Sequence, residues 1–291
     1  MIDLLAAILT SAGIFVLFRL FARWRIDAIQ AIVVNYGTAM LCGLALTEFQ
    51  LPSFGPDRPD WLVPGYFLGY IFIGVFYLMA VTSQKSGVAV ASIATKMSMI
   101  IPVLFYGLTS EPESLTALVL TAILLGLAGV VLSGIGGQSA GFSWIAILLP
   151  FIVFAGSGVI DLGIAYFSSP EYMPDRSDES LYSGVPFAGA FSVGLMLLLY
   201  RRVKLGRRFS IRSLWAGIAL GITNYGSLLF LVRTVHGGYF SKAIAIPMIN
   251  LGVIVAGSLF AVLMFKEEMT KTKLAGLVLC MVGLLLMTFN N

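Results

Sequence analysis

The chain has 291 residues, of which 59% are hydrophobic and only 11% charged, with a mean hydropathy of +0.97. A soluble domain carries about 25% charged residues and cannot bury this much apolar surface in one core, so an ordinary soluble enzyme and a disordered chain are excluded. The two cysteines, Cys42 and Cys280, sit inside apolar runs, which excludes a disulfide scaffold.

Ten apolar runs follow along the chain: Ile2–Phe21, Ala28–Leu46, Trp61–Thr82, Gly87–Leu108, Leu115–Leu132, Phe142–Tyr166, Ser180–Tyr200, Ile211–Thr234, Tyr239–Phe265 and Lys271–Phe289. Each is near the roughly 20 residues that a helix needs to span the hydrocarbon core. They are too long and too continuous for barrel strands of about ten alternating residues, and a helix satisfies its own backbone polar groups in lipid. The expected fold class is therefore all-α, a polytopic membrane protein of ten transmembrane helices. The first run is not read as a cleavable leader, because Asp3 stands where a basic leader would be.

Charge is concentrated between the runs. The connections after runs 1, 3, 7 and 9 hold cations, among them Arg23, Arg25, Lys85, Arg201, Arg202, Lys204, Arg207 and Arg208. The connections after runs 2, 4 and 6 are acidic, with Glu48, Asp57, Asp60, Glu111, Glu113, Glu171, Asp175, Asp178 and Glu179. Lys and Arg stay on the cytoplasmic side, so the odd-numbered connections are expected inside and both termini outside. The net charge of +4 then concerns topology and not nucleic acid, and a basic cluster flush against a helix end is placed to touch anionic lipid.

Two stretches match at an offset of 154 residues: SGVAVASIATKMSMIIPVLFYGLTSEPESLTALVLTAILLGLAGVVL from Ser86 and FSKAIAIPMINLGVIVAGSLFAVLMFKEEMTKTKLAGLVLCMVGLLL from Phe240. Glu113 meets Glu267, Thr116 meets Thr270 and Gly129 meets Gly283. Five runs per half is an odd number, so two fused halves, 1–137 and 138–291, are expected in opposite orientations within one membrane domain. The acidic connection after run 4 and its lysine-bearing counterpart after run 9 agree. Inverted repeats of this kind mark secondary transporters, in which the halves exchange conformations.

SGVAVASIATKMSMIIPVL and FKEEMTKTKLAGLVLCMVGLLLM resemble the ten-helix branch of the drug/metabolite transporter superfamily, the EamA type; the latter stretch is similar to that family's ending of a glutamate, a short polar turn and a glycine-rich last helix. The resemblance implies a basket of ten helices around a central cavity, with helices 5 and 10 peripheral and able to support dimer contacts, so that monomer and homodimer both fit. The chain departs from the commonest pattern in its long acidic loop Tyr166–Ser180 and in a lysine midway along run 4.

That lysine is Lys96. A charge at the centre of a membrane helix costs roughly 2.5–3.5 kcal/mol on insertion scales, and Lys96 is too deep to reach an interface. It is either a cavity cation for an anionic substrate group or half of a structural ion pair, for instance with Asp161. The offset carries Lys96 onto Asn250, and equivalent midplane positions of two halves are where transporter sites lie; Asn250 serves equally as a helix-to-helix bond. The same offset pairs Tyr70 with Asn224, whereas the GxxxG pairs Gly65–Gly69 and Gly217–Gly221, read as close-packing sites, favour 152. Asn35 and Tyr36 are further candidates to line the cavity, or to bond neighbouring carbonyls. Asp161 is the candidate for proton coupling, since burial favours a protonated carboxylate, with a salt bridge or an outer vestibule as the alternative. Pro102 and Pro247 are expected to kink their helices and serve gating. Arg19 is expected to snorkel to the inner surface, and Arg233, His236 and Lys242 to cluster at the outer ends of runs 8 and 9. Trp24, Trp61 and Trp144 stand where interface anchors should.

The expected function is a secondary active transporter that moves a small anionic or zwitterionic metabolite, such as an amino acid or organic acid, across the membrane by alternating access, with export the expected direction. The alternative is a lipid or polyprenyl-carrier translocase on the same scaffold. No catalytic pair, phosphate-cradling loop or cofactor motif is present, so neither an enzyme nor a bound cofactor is expected, and a single histidine makes a histidine metal site unexpected. The expected location is a bacterial inner membrane.

Overall fold

The computed structural model describes residues 2–46, 48–49, 51, 53, 55–109, 116–136, 144–167, 179–236 and 242–289. Among the described residues eleven helices follow in order: α1 Ile2–Arg23, α2 Ala28–Leu46, α3 Leu62–Lys85, α4 Val88–Met97, α5 Ile100–Thr109, α6 Ala117–Gly136, α7 Trp144–Phe167, α8 Glu179–Leu205, α9 Ile211–His236, α10 Lys242–Phe265 and α11 Lys271–Phe289. No strand occurs among the described residues. Among the described residues seven helical stretches are long and apolar enough to cross a membrane, α4 and α5 counting together as Val88–Tyr106, while α6 and α7 carry the shorter apolar stretches Ala117–Ser133 and Leu148–Ile164. This is the build of a polytopic membrane protein. The acidic segments 110–115 and 168–178, with Glu113, lie outside the described residues.

The fourth apolar run is broken at Ser98–Met99 rather than bent at Pro102. Proline has no N–H to give to the carbonyl four residues earlier, which here is that of Ser98. The Ile101 N–H takes that carbonyl at 2.9 Å instead, in a tighter turn.

The helices gather into two compact units, each collecting segments from both halves of the sequence. One comprises Met1–Arg19, Leu78–Val159 and Gly226–Asn291; the other comprises Leu20–Tyr77 and Ile160–Tyr225.

In the first unit α6 and α11 pack backbone to backbone. A Cβ added at Gly129 would lie 2.7 Å from the Gly276 carbonyl oxygen, and one at Gly283 would lie 2.8 Å from that of Ala122. The Cys280 thiol donates to the Gly126 carbonyl at 3.7 Å. Contact positions rise on one helix as they fall on the other, so the pair is antiparallel. The offset of 154 carries Gly129 to Gly283, Ala122 to Gly276 and Gly126 to Cys280. The first contact is thus exchanged with the second, and the third is its own image. The helix starts agree: Thr116 Oγ1 accepts the Val119 N–H at 3.3 Å and Thr270 Oγ1 accepts the Lys273 N–H at 3.2 Å, two matching N-caps.

The second unit is built on α2, α3, α8 and α9. Gly37 of α2 lies under the Phe191 ring, Gly217 and Gly221 of α9 bring that helix against Ala31, Val34, Asn35 and Thr38 of α2, and Gly69 of α3 meets the backbone of Pro186 and Ala190 of α8. Gly69, Gly217 and Gly221 therefore do pack helix against helix. Tyr36, Phe72, Phe76 and Phe187 form an aromatic core. Trp61, read from sequence as an interface anchor, is buried against Ile164, Phe167 and Val185, whereas Trp24, Trp144 and Trp215 are exposed.

Candidate functional site

Lys96 stands in the last turn of α4, half-buried, immediately before the break at Ser98–Met99. α10 runs antiparallel beside it. Asn250 of α10 is buried and donates from Nδ2 to the Met99 sulfur at 3.2 Å, while Gly257, seven residues on, meets Ser92, seven residues back. Lys96 and Asn250 thus belong to two packed helices of one unit. Pro102 follows the break in α5, half-buried, and Pro247 lies within α10.

The other end of α4 is fixed by a group that was legible in sequence only as a repeat marker. Glu267 Oε1 accepts the Val88 N–H at 3.0 Å, and Glu267 Oε2 is 3.1 Å from Lys273 Nζ. Arg19 Nε is 3.9 Å from Oε1. The Arg19 guanidinium also donates to the carbonyls of Ser83, at 3.3 Å, and Gln84. Ser83 and Gln84 in turn donate to the carbonyls of Phe15 and Phe18. Gly87, with φ of 104°, turns the chain into α4, and a side chain there would run into the Glu267 carboxylate. The short helix that carries Lys96 is therefore pinned at both ends to α10 or to the α10–α11 turn.

The remaining candidates lie in the second unit. Asn224 Nδ2 donates to Asn35 Oδ1 at 3.2 Å, with both residues buried. Asn35 Nδ2 and the Tyr36 hydroxyl are buried without a hydrogen-bond partner among the described residues. Tyr36 belongs to the aromatic core, and Tyr70, 42% exposed, packs edge-on to Tyr66 and Phe67. Asp161 is exposed on α7, as is Arg233 on α9. Among the described residues no cluster of His, Cys, Asp or Glu has the grouping of a metal site. A groove of about 340 Å³ in the first unit is lined only by apolar residues, Met248, Leu251 and Val255 among them, and offers nothing to hold a charge.

A second ionic site was also missed. Arg201 of α8 grips Asp27 in a two-pronged pair, at 2.9 and 2.8 Å. Asp27 Oδ1 also caps α2, accepting the N–H groups of Ile29 and Gln30. Burial pushes the Asp27 carboxyl up, but the Arg201 guanidinium and the two N–H groups outweigh it and hold it below its ordinary 3.8. An acidic residue just before a helix is the signal that would have found this cap.

No family model matches the chain. An uncharacterized protein of Haemophilus influenzae is 25% identical over 288 residues, covering 95% of this chain and 94% of that protein. A protein known from a crystal structure is similar over 97% of this chain and 98% of its own, with a TM-score of 0.58 at 18% identity. The two share a fold from end to end.

Proposed function

We propose that the protein is a secondary active transporter of a small anionic or zwitterionic metabolite, with ten spans in two inverted halves, both termini outside, and export as its direction. The reading rests above all on Lys96. A cation at membrane depth is retained where it meets an anionic partner or a polar passage, and Lys96 adjoins a helix break in a segment pinned at both ends. Discontinuous helices with polar residues near the midplane are how transporters form their sites.

The inverted halves are supported by the reciprocal contacts of α6 and α11. Two segments related by a two-fold axis make each contact twice with the roles exchanged, as Gly129–Gly276 and Ala122–Gly283 do. Their antiparallel course is what an axis in the membrane plane requires. Within the second unit, Asn35 Nδ2 and the Tyr36 hydroxyl, buried without a partner among the described residues, support a polar role beyond packing, since each unmade bond costs about 1–3 kcal/mol. Asp161 is exposed on α7, so burial does not support it as a carrier; it is proposed as the proton carrier as an acidic group on a membrane-length helix, with the outer vestibule as its setting.

Transport into liposomes tests the reading. Protein-dependent uptake of labelled carboxylates or amino acids that is lost in Lys96→Ala supports it. Phospholipid scrambling without such uptake overturns it in favour of a lipid translocase. A proton-driven flux that persists unchanged in Asp161→Asn removes Asp161 from coupling.

A further inference from the structure

We propose that the turn between α8 and α9 is a preformed binding site for the phosphate-bearing headgroup of an anionic phospholipid. Arg202, Lys204, Arg207 and Arg208 are all exposed. The one carboxylate engaged here, Asp27, is consumed by Arg201, and no acidic side chain among the described residues pairs with the other four.

The backbone that carries these cations is held, unlike that of a floppy basic tail. Gly206, with φ of 62°, closes the end of α8, and the Arg207 N–H returns to the Arg201 carbonyl at 3.1 Å. The buried Gln30 side chain then clamps the turn from α2: its Nε2 donates to the Arg208 carbonyl at 3.0 Å and its Oε1 accepts the Ser210 N–H at 2.9 Å. Exposed Val203 and Leu205 alternate with the cations, and exposed Phe209 and Trp215 follow them. Apolar side chains that can enter the acyl region, interleaved with cations at headgroup level, match an anionic bilayer surface. A soluble acidic partner would leave those apolar groups in water. Because the turn is already ordered, little conformational freedom is lost when the lipid binds.

The test compares nanodiscs of phosphatidylglycerol and phosphatidylcholine, reading the lipid retained on the protein and the melting midpoint. The wild type should retain phosphatidylglycerol preferentially and melt higher in it, and salt should weaken both effects. R202Q/K204Q/R207Q/R208Q should lose the preference, by roughly fivefold for each cation removed. R23Q/R25Q/K85Q/K271Q removes the same charge from exposed positions elsewhere and should keep it. Q30L, which keeps every cation but frees the turn, should weaken retention. A preference that survives the first variant, or falls equally in the second, overturns the proposal, and full retention in Q30L overturns the preformed character of the site.

Discussion

Glu267 and Lys273 form an ion pair at 3.1 Å with side chains only 8% and 3% exposed, and the same carboxylate receives the first N–H of the helix that carries Lys96. Removing one partner of a buried pair leaves the other uncompensated, at about 3–5 kcal/mol. Glu267→Gln should therefore lower the melting midpoint in detergent markedly. Lys273→Met should cost less, because Arg19 and the Val88 N–H remain to Glu267. Equal midpoints for both variants and the wild type would contradict this role.

Gly87 should be intolerant of any side chain. Its φ of 104° is strained for other residues, and the space a Cβ would need is filled by Glu267. Gly87→Ala is expected to cost about 1–3 kcal/mol. Gly74, within α3, has nothing within 4 Å of an added Cβ, and Gly74→Ala should be neutral or stabilising by about 0.5–1 kcal/mol. Unfolding of the two variants under one condition checks the contrast.

The Asp27–Arg201 pair sets an acid limit on the stability of the second unit. The folded carboxyl titrates below its unfolded value of about 3.8. Its contribution is complete above that value and disappears as the pH falls through the depressed folded one. Asp27→Asn lacks the contribution, so it should be less stable than the wild type near neutrality, and the gap should close below pH 3.8. Unfolding of both proteins across that range measures it, and a gap independent of pH would contradict the assignment.

Asn224→Leu should remove the partner of a buried acceptor and leave Asn35 with neither half of its amide satisfied, costing about 1–3 kcal/mol. If these amides also meet substrate, the variant should lose apparent affinity more than maximal rate, as measured by transport kinetics.

The sequence made the helices legible because apolar runs of span length have few other uses in a protein this poor in charge. It also showed the offset that α6 and α11 obey contact by contact, since Gly129 and Gly283 mark the close approach on both sides. The pinning of α4 was not legible, because Glu267 reads as a repeat match and Lys273 and Arg19 as loop and interface cations, and only folding brings the two cations onto the Glu267 carboxylate. Pro102 was visible, but the break falls four residues upstream, at the carbonyl it deprives. Trp61 misled for a similar reason: a tryptophan at a helix end reads the same whether it meets headgroups or Ile164 and Phe167.

In the proposed transporter, Lys96 holds the anionic group of the transported metabolite. Uptake of labelled carboxylates and amino acids into liposomes, with the wild type and Lys96→Ala purified to the same melting midpoint, tests it most directly. Protein-dependent uptake should be seen with the wild type and abolished in Lys96→Ala. Uptake of an anionic substrate by Lys96→Ala with unchanged apparent affinity would contradict it.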